Sequence, residues 1–342
     1  MSDPASGTAS DPASAIDWRP GAELATLELA AALRRGFRSR FDAEGVLEVA
    51  TPVASRAGTS DPAIESLVTA PSRTEPARWL QSSPESASKR LLAAHGRDLY
   101  QFAPVFRAAE RGRRHNIEFT LLEWYRIGLD LEAMMADVEA SVRAAAAAGG
   151  AAVACAPFAR LAHGELVREV AGDWPERLGV ADVARLFESR GAPWPAAMDE
   201  DDPDAAIDLL FDEFVLPRLP VDRMAFVTGW PASRASLARL ATDGHGRTVA
   251  ARFELYAGPL ELANGYHELT DAAEQRSRFE ADLRRRERLG LAPVPLDEPL
   301  LAALGAGLPD CSGVALGLER LLMALSGIDD IDRVLAFSDV RA

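Results

Sequence analysis

The stretch FRAAERGRRHNIEFTLLEWY, from Phe106 to Tyr125, decides how this chain is read. Two strand-like runs, Leu99–Arg107 and Ile117–Tyr125, flank a charged, glycine-containing connection, Ala108–Asn116. The segment therefore reads as a β-hairpin with a long basic tip. Side chains two apart on a strand share a face, so Glu123 and Tyr125 point the same way. Arg107 stands where the first strand gives way to the loop. A second arginine, Arg320, stands in the helix that follows the glycine-punctuated strand of GVALGLER, Gly313–Arg320. A planar guanidinium can hold two phosphate oxygens at once, so arginines at two strand ends suit a polyphosphate.

Outward from the hairpin, Leu29, Leu33, Phe37 and Phe41 recur at i+4 steps and predict a helix from Glu23 to Phe41. Gly45 stops it, and Val46–Val49 follows as a short strand ended by Thr51-Pro52. Trp79–Gln81 reads as a strand entering Ser82-Ser83-Pro84-Glu85, with a helix starting at Pro84 and running through Lys89-Arg90-Leu91-Leu92. Asp130–Ala148 is a further helix. Residues from about 150 to 222 read as a mostly helical insertion without a fixed repeat. Strands resume at Met224–Thr228, and Arg247–Tyr256 and Leu260–Tyr266 make a second hairpin around Ala257-Gly258-Pro259. Asp271–Leu289 is a charged helix capped by Thr270 or Asp271. The chain closes with the strand Gly313–Leu316, a helix over Gly317–Leu325 and the apolar Val334–Phe337. Hairpins separated by helices, without a βαβ rhythm, give an α+β fold: an antiparallel sheet flanked by helices.

The 342 residues, 48% hydrophobic and 26% charged, suffice for a sizeable core. No apolar run approaches the ~20 residues that span a bilayer. Residues 1–18 read as a disordered tail rich in Ala, Ser, Asp and Pro, and 19–342 as one folded domain. Cys155 and Cys311 fall outside any CxxC pattern, so free thiols in a reducing, cytoplasmic setting are expected. A net charge of −15 argues against a large nucleic-acid footprint. Arg111, Arg113 and Arg114 form a local basic cluster that reads as a phosphate-facing loop or a solvated surface, whereas Arg284, Arg285, Arg286 and Arg288 read as the solvated face of a helix.

Two further groups carry chemistry. Glu254 and Glu261 lie seven residues apart in consecutive strands, so a tight hairpin can bring both to one metal, and magnesium on phosphates often takes one or two carboxylates; the alternative is two unrelated strand carboxylates facing solvent. Glu123, Tyr125 and Glu268, two carboxylates and a phenol, suit an ammonium group.

These motifs resemble those of a known family. Phe106–Tyr125 and Gly313–Arg320 are similar to motifs 2 and 3 of the class II aminoacyl-tRNA synthetases, and the first helix with GVLEVATP is similar to motif 1. Glu261–Asp271, ELANGYHELTD, narrows the resemblance to the lysyl branch, and within it to the short lysine ligases that modify elongation factor P. The resemblance covers roughly residues 20 to 342. It implies a homodimer through motif 1 and activation of a lysine-type amino acid by ATP with Mg2+. It also implies transfer to a lysine of elongation factor P, with no tRNA expected. By the same resemblance Arg107 meets the α-phosphate, Arg320 the γ-phosphate and His115 the distal phosphates. Asn116 and Phe119 face adenine, while Glu261, Leu262 and Gly317 complete the ATP site. Glu254 and Glu261 hold magnesium. Ser83, Pro84, Glu85, Glu123, Tyr125, Asn264, Glu268 and Ala315 form the amino-acid site. In it Glu123, Tyr125 and Glu268 grip the side-chain amine, Asn264 the carboxylate and Glu85 the backbone amine.

The chain departs from the family pattern in places. Ala108-Ala109 replaces Asn-Glu after the motif 2 arginine, with Glu110 as the stand-in carboxylate, Ser86 replaces tyrosine, and Ile117 replaces proline. Ala315, where tRNA-charging relatives carry glycine, points to β-lysine over α-lysine. The exact diamino acid, α-lysine, β-lysine or ornithine, stays open at this stage, as does the acceptor. A silent amino-acid- or nucleotide-binding paralogue is the rival that the Ala108-Ala109 departure motivates.

Overall fold

The computed structural model describes residues 18–108, 110–196, 198–199 and 201–342. Of the expected tail all but Trp18 lies outside the described residues, as does Ala109 of the motif 2 departure. In chain order the strands are β1 (Leu47–Glu48), β2 (Ala54–Ser55), β3 (Val68–Thr69), β4 (Arg78–Leu80), β5 (Leu99–Phe106), β6 (Glu118–Ile127), β7 (Ala159–Ala162), β8 (Ala225–Pro231), β9 (Leu240–Thr242), β10 (Thr248–Ala257), β11 (Leu260–His267) and β12 (Cys311–Gly317). The helices are α1 (Leu24–Ala43), α2 (Glu85–His95), α3 (Leu131–Ala148), α4 (His163–Ala171), α5 (Val180–Ser189), α6 (Pro203–Leu210), α7 (Ala272–Arg288), α8 (Glu298–Gly307) and α9 (Leu318–Ser326).

Among the described residues nine strands make one sheet in the order β1-β5-β6-β12-β11-β10-β8-β7, with β9 on β10. Its central pairs are antiparallel, as expected for α+β. Alternation along the strands sorts the two faces. Leu122 and Trp124 of β6, Val314 and Leu316 of β12, and Phe253 and Leu255 of β10 point into one apolar core. There they meet Phe37 and Phe41 of α1, Val138 and Val142 of α3, and Leu321 and Leu322 of α9. Each such side chain contributes about 1.5–3 kcal/mol by leaving water. The other face is left free for a site. At one end of it α2, α7 and α8 pack Leu92, Phe279, Leu300 and Leu304 against Tyr125.

Several sequence expectations are refined. The insertion is not purely helical, because β7 pairs with β8 in parallel and reaches it through α4–α6, a crossover the sequence did not announce. Four residues, Ala159-Arg160-Leu161-Ala162, are too few and too small to show a strand period, and tertiary pairing decides their conformation. Pro84 is the N-cap of α2 and not its first residue. Asp271, not Thr270, caps α7, accepting from the amides of Ala273 at 2.8 Å and Glu274 at 2.9 Å. Arg286 leaves the expected solvated face. It is buried and donates to the carbonyls of Asp61, Ile64 and Ala292, bracing the 58–64 loop over the free face of the sheet. Val334–Phe337 forms turns, and the carbonyls of Leu335 and Ala336 accept from Ala22 and Gly21. Both cysteines are free. No helix among the described residues is long and apolar enough to cross a membrane.

Candidate active site

Strand register lays two rungs across the free face. Glu123, Ala315, Asn264 and Glu254 are successive partners on β6, β12, β11 and β10, and Tyr125, Gly313, Tyr266 and Arg252 form the next rung. A cavity of about 520 Å³ opens over them and follows β6 from Phe119 to Tyr125. Of the residues expected from the sequence, Ser83, Glu85, Arg107, His115, Asn116, Phe119, Glu123, Tyr125, Glu261, Leu262, Asn264, Glu268, Ala315, Gly317 and Arg320 all line it. Pro84 and Glu254 do not: Pro84 is buried at the start of α2, and Glu254 lies beneath the wall.

A single irregularity lets β11 serve the whole cavity. Leu255 pairs with Ala263 and Tyr256 with Glu261, so Leu262 has no partner on β10. In a regular strand Glu261 would face away from Asn264, Tyr266 and Glu268. The extra residue reverses the alternation and brings Glu261 to the same side. Glu261, opposite Tyr256, is a diagonal neighbour of Glu254, and the bulge sets Asn264 opposite Glu254. The seven-residue spacing of Glu254 and Glu261 works through the tight turn alone; the bulge is what adds Asn264 and Tyr266 to the same face.

At one end the groups are cationic. Arg320 Nη1 donates to the carbonyl of Glu261 at 3.1 Å and to its Oε2 at 3.3 Å, and Nη2 donates to His115 Nε2 at 2.6 Å. Burial, then the Arg320 charge, pulls the His115 pKa down, so the ring stays neutral and accepts. The Arg107 guanidinium lies over the Phe119 ring, 5.2 Å from its centroid, with Nη1 3.4 Å from Glu110 Oε1. Its Nε is buried without a partner among the described residues, an orphan donor that suits an anionic ligand. The Asn116 amide is tied on both sides, donating to the Glu118 carbonyl at 2.7 Å and accepting from the Asp339 amide at 3.0 Å. Of the basic loop, Arg111 pairs with Asp339 at 2.6 Å and Arg113 pairs with Asp329, which fastens the loop to the C-terminal segment.

At the other end the groups are acidic. Ser83 Oγ donates to Glu123 Oε2 at 2.7 Å and the Tyr125 hydroxyl to Oε1 at 2.8 Å. Burial, then the Glu85 charge, pushes the Glu123 pKa up to about 8. Burial likewise raises Glu268, to about 7, against the pull of Lys89. Lys89 bridges Glu85 and Glu268 at 2.6 Å from each. Ser86, one of the departures, donates to Asp297, which caps α8 and so ties α2 to that helix. Glu254 is held by Arg252 and the Tyr256 hydroxyl, and Arg252 Nε donates to Asn264 Oδ1 at 3.2 Å. Sequence reasoning missed Lys89 and Arg252. The signals were available: Lys89 follows Glu85 by one helical turn, and Arg252 precedes Glu254 by one strand repeat.

The model of the class II tRNA synthetases (D, K and N) matches residues 13–341 of the chain. The chain belongs to the class II tRNA synthetases. Among its relatives in this family is the elongation factor P–(R)-β-lysine ligase of Vibrio cholerae serotype O1, 40% identical over 330 residues, which cover 95% of this chain and 99% of that protein. The ligase of the same name from Pectobacterium atrosepticum is 40% identical over 338 residues, covering 95% and 98%. That of Avibacterium paragallinarum is 37% identical over 325 residues, covering 94% and 97%. In this class II synthetase fold the antiparallel sheet supplies both ends of the cavity, and the two arginines stand one on the β5–β6 hairpin and one on α9.

Proposed function

We propose that the chain activates a lysine-type amino acid, (R)-β-lysine, with ATP and transfers it to a lysine side chain of elongation factor P. The observation that carries this reading is one cavity with Arg107 and Arg320 at one end and Glu85, Glu123, Tyr125 and Glu268 at the other. The relatives of that name, matched over nearly their whole length, support it.

In this reading no side chain acts as a nucleophile. The substrate carboxylate attacks the α-phosphorus, and pyrophosphate leaves with the bonding electron pair. Arg107 and Arg320 stabilise the charge that gathers on the phosphoryl oxygens. Asn264 and Glu85 orient the substrate carboxylate and its near amine, while Glu123, Tyr125 and Glu268 hold the far amine, so the reacting atoms meet at a fixed distance. Glu261, which lines the cavity, would hold a phosphate-bound magnesium, whereas Glu254, expected beside it, has both oxygens taken by Arg252 and the Tyr256 hydroxyl and would have to release them to join. Bound there, the ion supplies Lewis-acid neutralisation of the phosphates. Ala315 sits between Glu123 and Asn264, and its methyl narrows the space for the substrate backbone. The same reading takes the protein as a cytoplasmic homodimer joined through α1 and the edge strand β1, where Leu47 is exposed. Residues 19–342 act as one domain carrying the insertion, with no tRNA as acceptor.

The test is amino-acid-dependent ATP–pyrophosphate exchange across (R)-β-lysine, α-lysine, ornithine and the standard set. Exchange selective for a lysine-type substrate is expected. Folded protein that exchanges with none of them in the presence of magnesium sinks the reading and leaves a silent binding paralogue.

Gly313 gives a sharper check on the pocket. A Cβ there would lie 2.4 Å from Tyr125 Cε1 and 2.5 Å from Glu268 Oε1. Gly313→Ala is expected to weaken amino-acid binding at least ~100-fold, about two lost charge-assisted contacts, while ATP binding is kept. Calorimetric titration with each ligand separates the two. Equal losses for both ligands would mean that the sheet, and not the pocket, was damaged.

A further inference from the structure

The acidic end of the cavity contains its own ammonium. Lys89 Nζ lies 2.6 Å from Glu85 Oε1 and 2.6 Å from Glu268 Oε2, and its side chain is 1% exposed. It cannot swing into solvent as a surface lysine does, and a lysine so placed is kept only where it is paired. One oxygen of each carboxylate is therefore committed, and Glu85 Oε2 and Glu268 Oε1 have no partner among the described residues. Glu268 Oε1 lies beside Gly313 on the cavity floor.

We propose that Lys89 is a positioning residue that holds Glu85 and Glu268 as two separate carboxylate acceptors and so makes the pocket selective for an amino acid with two amines. The inference rests on the reading of this cavity as the amino-acid site. Two carboxylates sharing one neighbourhood, Glu268 buried and Glu85 partly exposed, repel one another without a cation between them, and the buried Glu268 takes up a proton. A protonated partner gives up its charge-assisted bond to a substrate amine. The pocket then recognises one amine instead of two. The groups facing Lys89 allow no substitute. Glu123 and Tyr125 on β6 are anionic or neutral, Cys311 on β12 is held as the thiol by burial, and Arg239 donates to the backbone carbonyl of Glu268 while paired with Asp310. Burial opposes the charge on Lys89, but Glu268 and Glu85 together raise its pKa overall, so the ammonium persists throughout the working range.

The test measures amino-acid affinity by calorimetry in wild type, Lys89→Met and Lys89→Arg between pH 6 and 9. The ligands are (R)-β-lysine and a single-amine analogue of the same length, 6-aminohexanoate. A carboxylate must be deprotonated to accept from ammonium, so wild-type binding of the diamino acid tightens as pH rises through about 7 and on through about 8, the Glu268 and Glu123 values. In Lys89→Met the affinity at pH 7 is expected to fall about 100-fold, as for a lost charge-assisted contact or two. The tightening moves upward by more than one pH unit, and the preference over 6-aminohexanoate narrows at least tenfold. ATP affinity stays unchanged. Lys89→Arg, which keeps the cation, retains the wild-type pH window. Unchanged affinity in Lys89→Met overturns the proposal. So does a loss that is the same at every pH, or an equal upward shift in Lys89→Arg. If melting shows that Lys89→Met does not fold, Lys89→Gln carries the same expectation. Pyrophosphate exchange is scored separately, so that absent activation with intact binding counts against the proposed function and not against Lys89.

Discussion

Replacing Arg320 by alanine is expected to lower lysine-dependent pyrophosphate exchange about 10²–10³-fold, the usual cost of removing a donor aimed at developing charge. The side chain is already fixed before any phosphate arrives. One nitrogen is anchored on the carbonyl and carboxylate of Glu261, and another on the neutral His115 ring. That pre-arrangement is what makes the guanidinium effective, because no reorganisation remains for the moment of reaction. Arg320→Lys retains the charge but loses the fork, and most of the defect is expected to persist. Arg320 is partly exposed near the start of α9, so melting temperature should move little. Exchange within threefold of wild type at saturating and at low ATP would remove Arg320 from the site.

Glu268→Gln is expected to act on two observables. Activation of the lysine-type substrate should fall about 10²–10³-fold, the sum of one lost charge-assisted bond and a misplaced amine. Stability should fall as well, because Lys89 is left with Glu85 as its one remaining anion. Breaking one half of a buried pair in this way typically costs about 3–5 kcal/mol. The double variant with Lys89→Met separates the effects: it should regain much of the melting temperature without regaining activation, a non-additivity expected of groups in direct contact. A single variant that activates lysine normally would show that the side-chain amine is held elsewhere.

Much of this was legible in the chain. Apolar alternation on either side of a charged loop gave the β5–β6 hairpin nearly to the residue, and period two alone placed Glu123 and Tyr125 together. Asp130 and Asp271 announced their helices because a capping carboxylate acts on amides two or three residues away, within reach of local pattern. What stayed hidden depends on partners distant in sequence. Lys89 looked like one more polar residue on a helix until β11 delivered Glu268 beside it. Arg286 sat in a run of four arginines that reads as solvated, yet the loop at 58–64 folds over it. β7 has no strand signal of its own and is extended because β8 offers it an open edge.

The unpaired Leu262 has a consequence for how this wall can change over evolutionary time. Residues upstream of it are written in one phase and those downstream in the opposite phase, so with the bulge in place Glu261 and Glu268 share a surface at an odd offset, where a regular strand would need an even one. A loop such as 108–116 can lengthen or shorten by single residues and still end at the same strand. The interval from 261 to 268 can do so only if the bulge is lost or gained with the residue, since a deletion that keeps the bulge would turn either the nucleotide end or the amino-acid end toward the core. Length and bulge therefore change together, and the two halves of the chemistry share one register.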